Sequence, residues 1–112
     1  MGVDENLVED IEQQLQNDIL HFWWMVNMVK RHQPELDDQQ ATAKLFDVLV
    51  QMHAADKIVV GETKKTKDGK VAIVPWPEQD QRLLERLVET IGQHKGLARD
   101  FCFWIELSKY HK

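Results

Sequence analysis

The stretch Ile19-Leu20-His21-Phe22-Trp23-Trp24-Met25-Val26-Asn27-Met28-Val29 constrains this chain more than any other. Upstream of it, Val8, Ile11 and Leu15 recur at spacings of three and four, which aligns them on one helical stripe. The stripe continues through Ile19, Phe22, Val26 and Val29, so a helix is predicted from Asp4 to about Arg31. Leu20, Trp23, Trp24, Met25 and Met28 fall off that seam. The second half of the segment is therefore apolar nearly all round and must be covered on several sides. Neighbouring helical positions point about 100° apart, so Trp23 and Trp24 cannot enter one small core together. A bilayer span needs roughly 20 apolar residues, and this shorter run is interrupted by His21 and Asn27, which excludes a membrane segment.

Downstream, Asp37 and Asp38 follow Pro34 and are expected to cap a second helix reaching about Ala55, with Ala41, Leu45, Val48, Leu49 and Met52 inward. The period then changes. Ile58-Val59-Val60 and Val71 to Val74 are β-branched runs around an Asp68-Gly69 turn signal, which predicts a β-hairpin over about 57–75 with a lysine-rich tip. Pro77 suits the first turn of a further helix, whose stripe is Leu83, Leu84, Leu87, Val88 and Ile91. Gly92 and Gly96 permit a kink, after which Leu97, Phe101, Trp104 and Ile105 form a final helical face, with Phe103, Leu107 and Tyr110 opposite. The expected fold is thus a single α+β domain over residues 1–112, mostly helical. It comprises two N-terminal helices, the hairpin, and one long or kinked C-terminal helix.

Charge is distributed unevenly behind a formal net value of −5. Residues 1–40 carry nine acidic side chains against Lys30 and Arg31, whereas residues 57–70 carry five lysines against Glu62 and Asp68. An acidic chain with one basic loop is free to meet phosphate or an acidic protein through that loop. Lys64, Lys65, Lys67 and Lys70 are accordingly the expected binding residues, although a charged hairpin end also serves simply to prevent edge-to-edge pairing.

Catalytic and metal chemistry find little support. The histidines at 21, 32, 53, 94 and 111 show no i+3 or i+4 pairing, and no CxxC or HExxH spacing exists. No metal, cofactor or catalytic residue is expected, and the chain does not read as an enzyme. Cys102, the single cysteine, lies in Phe101-Cys102-Phe103-Trp104, an apolar setting that raises a thiol's pKa and makes it a small buried filler. With no second cysteine and no signal-like start, the expected address is the cytoplasm. Gly2 invites myristoylation, but Asn6 stands where that motif needs Ser or Thr.

Residues 41–88 resemble part of a winged helix-turn-helix domain of MarR-like type. "LVQMHAADKIVV" ends a helix and enters the hairpin "GETKKTKDGKVAIVPW", and "PEQDQRLLERL" opens the next helix. The resemblance implies a recognition helix over Ala41–Met52, a wing whose Lys64, Lys65, Lys67 and Lys70 touch the DNA backbone, and a dimerising terminal helix. The recognition helix holds no arginine to read guanine, so DNA binding is the alternative. The leading expectation is a non-catalytic interaction protein of the adaptor, inhibitor or immunity type. It would be a homodimer with Trp23, Trp24, Met28, Phe103 and Trp104 at the interface, because its large apolar side chains exceed what a small core encloses.

Overall fold

The computed structural model describes residues 3–110, so Gly2 and His111 lie outside the described residues. Among those described, five helices and a four-stranded antiparallel sheet make one α+β unit. Helix α1 (Val3–Leu15) precedes a two-residue strand β1 (Leu20–His21), helix α2 (Phe22–His32) and helix α3 (Asp38–Ala54). The hairpin strands β2 (Ile58–Lys65) and β3 (Val71–Pro75) follow. Helix α4 (Asp80–Gly92), the short α5 (Leu97–Asp100), strand β4 (Trp104–Leu107) and a 3-10 turn at Ser108–Tyr110 come last.

Two parts of the expected architecture are overturned. The first long helix is two helices. Gln16 and Asn17 N–H groups bond back only three residues, to Gln13 and Gln14, and the Asp18 carboxylate accepts the next N–H, that of Ile19. Such local bonding by the Asp18 side chain competes with helix continuation. Once the chain turns, α1 folds back on α2, and both stripes face one core. The long C-terminal helix is also absent. Gly96 has φ +58, a conformation that favours glycine, and the chain beyond α5 runs extended into the sheet.

The helix with the strongest local signals lies where they point. Asp37 caps α3 by accepting the Gln40 N–H at 2.7 Å, while the Gln40 side chain accepts the Asp37 N–H at 3.0 Å, a reciprocal capping box. Helix α4, in contrast, begins at Asp80, three residues after Pro77.

The sheet order is β1-β4-β2-β3. Strand β4 fills the slot between β1 and β2, with Leu20 opposite Ile105 and Val60 opposite Ile105 on the other side. Phe103, Ile105 and Leu107 alternate inward with Ile58 and Val60, against α1, α2, α3 and α4. Phe22, Phe46, Trp76 and Phe103 meet at the centre, with ring centroids 5.3 to 6.1 Å apart. Gly61 is required where β2 is flanked on both sides: a Cβ there would stand 2.0 Å from the Val74 carbonyl oxygen.

Candidate functional site

Alternation along the strands carries His21, Trp104, Thr63 and Val71 to the sheet face away from that core. His21 pairs with Trp104, Trp104 lies opposite Gly61, and Thr63 and Val71 follow from Gly61 by the two-residue period. Because Gly61 has no side chain, the sheet beside Trp104 stays low. The result is a groove of about 700 Å3 floored by His21, Trp104, Thr63 and Val71. Its rim is Trp24 at the start of α2, Gln14 near the end of α1, and Asn17, Asp18 and Ile19 in the turn that follows.

Trp24 is 47% exposed, an unusual position for the largest apolar side chain. Its Nε1–H donates to Gln14 Oε1 at 2.7 Å, which holds the indole upright on the rim. Phe101 is 46% exposed and packs, tilted by 44°, against the His21 ring at 4.3 Å, 5.9 Å from Trp104. The His21 ring also meets Trp104 edge-on at 5.2 Å. Burial pushes the His21 pKa below its ordinary value of 6.5, against the raising influence of the Asp100 carbonyl. His21 Nδ1 stands 3.3 Å from the Trp24 N–H, where it caps α2 as an acceptor, and 3.2 Å from the Asp100 carbonyl, to which it donates in the other tautomer.

The hairpin tip lies beyond the same face. Gly69 adopts φ +82, and its N–H donates to the Thr66 carbonyl at 3.0 Å. Asp68 accepts the Thr66 hydroxyl and, at 3.4 Å, the Lys70 N–H; these bonds draw its pKa below the usual carboxylate value and commit it to the turn. Lys64, Lys65, Lys67 and Lys70 are exposed, and none forms an ion pair with a described residue.

The expected interface residues separate into three groups. Trp24 and Trp104 come together in the groove, although they are distant in sequence. Trp23 turns away, half-buried against the core, and lines a different hollow of about 350 Å3 with Phe22, Asp38 and Thr42. Met28 and Phe103 are completely buried within the chain's own core, which leaves them no surface to offer a second chain. Their burial corrects the expectation, because α1 and β4 supply cover that two helices and a hairpin alone would lack. His21, Phe101, Thr63 and Val71 were not anticipated. Their signal was the alternation Trp104-Ile105-Glu106-Leu107, which also fits a helical seam.

Other candidate chemistry is weak. Cys102 is buried, and desolvation pushes its pKa up to about 11, so it stays a thiol. A charged hollow of about 540 Å3 along α4 is lined by Glu78, Arg82, Glu85, Arg86 and Glu89, with Arg86 donating to Glu78 at 2.7 Å and lying 4.3 Å over Trp76. No group of three or more metal-ligating side chains occurs among the described residues. No helix among them is long and apolar enough to cross a membrane. No protein-family model, curated protein or solved structure matches this chain.

Proposed function

We propose that this chain is a non-catalytic protein of the cytoplasm that binds another macromolecule through the outer face of its sheet. The observation that carries this reading is the meeting of Trp24 and Trp104 in one open groove with Val71 on its floor. Tryptophan is enriched among residues that dominate binding energies, because a large apolar ring is desolvated at modest entropic expense. A chain with room to bury Trp76 inside its core leaves Trp24 half in water. The groove's one titratable ring, His21, is occupied in capping α2, which favours binding over catalysis. The lone buried thiol of Cys102 suits a reducing compartment.

The partner best suited to the surface is a protein segment with apolar side chains for the groove and acidic residues for the lysine tip. Lys64, Lys65, Lys67 and Lys70 act chiefly on encounter, since exposed charges steer association more than they hold a complex. The alternative is a winged-helix DNA-binding regulator, favoured by the four lysines that lack ion pairs with described residues. Asp47 and Gln51 are exposed on α3, and Lys44 is half-buried there, so backbone contacts by the hairpin would dominate.

Peptide display against the immobilised protein, followed by fluorescence titration, tests the leading reading. Selected peptides should be apolar with flanking Asp or Glu and should lose about tenfold or more in affinity for Trp24→Ala. Peptides that bind Trp24→Ala as tightly as the parent would remove the groove from the function. Duplex DNA binding that disappears when the four lysines become Gln, with a salt slope that falls by about one for each lysine replaced singly, would favour the alternative.

A further inference from the structure

The charged hollow along α4 contains groups that its one ion pair leaves uncommitted. Arg86 is occupied, since it donates to Glu78 at 2.7 Å and lies over the Trp76 ring. Glu62, Glu85, Glu89 and Arg82 also line the hollow, and none of the four forms an ion pair with a described residue. Glu85 and Glu89 stand one helical turn apart, a like-charge spacing that destabilises a helix. Glu62 joins them from the sheet, because it follows Ile58 and Val60 on the helix-covered face of β2. Three carboxylates thus face one guanidinium.

Thr90 gives the hollow a second, independent feature. It is only 7% exposed and lines the same space. A helical threonine can return its hydroxyl to the carbonyl four residues back, as Thr42 does to Asp38 at 2.7 Å. The Thr90 hydroxyl makes no such bond and has no partner among the described residues. A buried polar group in that state is destabilising until something meets it. One turn further on, His94 Nδ1 lies 2.7 Å from the Thr90 carbonyl. A carbonyl only accepts, so Nδ1 carries the hydrogen and Nε2 of the neutral ring is left as an acceptor.

We infer that this hollow binds a linear aliphatic polyamine, with its ammonium groups on Glu62, Glu85 and Glu89 and further N–H bonds to Thr90 Oγ1 and His94 Nε2. A primary ammonium donates three hydrogen bonds and accepts none, which suits a wall of acceptors. Glu85 and Glu89 are separated by about 6 Å along the helix axis, close to the length of a butanediamine unit. The carboxylates are spread between a strand and a helix, and no group of three metal-ligating side chains occurs among the described residues, so an extended organic cation fits better than a single metal ion. A quaternary ammonium would need an open aromatic face, and Arg86 covers that of Trp76. The space of about 540 Å3 is ordinary for a small-molecule site. It shares no lining residue with the groove of Trp24 and Trp104, so the two sites stand or fall separately.

Calorimetric titration of the full chain with spermidine tests the inference. Spermidine should bind one to one, and its addition should shift the amide resonances of Thr90 and His94 but not that of Trp24. Thr90→Val keeps the shape of the side chain and removes the hydroxyl; it should weaken binding about fivefold or more, with circular dichroism unchanged. Glu85→Gln and Glu89→Gln should each weaken it about tenfold. Glu9→Gln removes the same charge from the exposed side of α1 and should leave binding unchanged. Absence of binding at millimolar spermidine would overturn the inference. So would equal losses in Glu9→Gln and Glu89→Gln with Thr90→Val unaffected, the mark of a diffuse attraction between a polycation and an acidic chain. A trilysine peptide that binds in the hollow while spermidine does not would also overturn it, and would assign the carboxylates to lysines of a protein partner.

Discussion

The two faces of the sheet are built by the same strands and do opposite things. Inward, Leu20, Ile58, Val60, Phe103, Ile105 and Leu107 are covered by helices and exclude water. Outward, one residue along each strand, His21, Trp104, Thr63 and Val71 remain open as the floor of a groove. A single-residue slip of β4 would exchange the two sets, sending Trp104 into the core and Ile105 into water. The inner face specifies the register, and the outer face, apart from the buried Ile73 opposite Thr63, inherits a fixed arrangement. This division frees the outer side chains to serve binding, and it can be broken in measurable ways.

The largest effect should come from the inner face. Phe103 is fully buried amid Phe22, Phe46 and Trp76, and Phe103→Ala should cost about 3–5 kcal/mol in urea unfolding, through lost transfer energy and the cavity left behind. A loss below about 1 kcal/mol would mean that β4 does not bind the core together. Gly61→Ala comes next, at about 3 kcal/mol, because its methyl group would collide with backbone and push β3 away from β2. Amide exchange of β3 should accelerate in that variant more than exchange of α3.

The effect of pH should report on the boundary between the faces. His21 is held neutral by burial, so its folded pKa lies below 6.5 and the unfolded chain binds the proton first. Its contribution to stability is therefore complete above pH 6.5 and is lost as pH falls through the folded pKa. His21→Asn keeps a capping side chain, and it should flatten the stability profile in that window while preserving α2 by circular dichroism. An unchanged slope would assign the titration to another histidine. The smallest stability effect belongs to the outer face. Trp24→Ala should shift unfolding by under about 1 kcal/mol while removing groove binding, and replacing the four tip lysines with Gln should shift it by under about 0.5 kcal/mol.

How much was readable in advance follows from the range of the interactions involved. Helix α3 and the hairpin were legible because their signals are local: a capping box spanning Asp37 to Gln40, and β-branched runs joined by Asp68-Gly69. The break between α1 and α2 was hidden because Leu15, Ile19 and Phe22 keep a helical spacing across it. Only pairing with β4 made a strand of Leu20-His21. The groove was half legible. Trp24 and Trp104 stood out as surplus apolar surface, but nothing local indicated that they would share one site, or that Met28 and Phe103 would vanish into the core.

By itself the sequence determined the capped helix α3, the position of the hairpin, the lysine tip and the excess of large aromatic side chains. Those properties rest on side-chain chemistry and on patterns a few residues long. Tertiary structure decided which apolar residues became interior. It did so by inserting Trp104–Leu107 between Leu20–His21 and Ile58–Gly61, strands more than forty residues away along the chain. Such pairing is favourable only when the whole core forms with it, because an isolated hairpin is marginal in water and the cost of closing long loops is recovered by burial shared among all the elements.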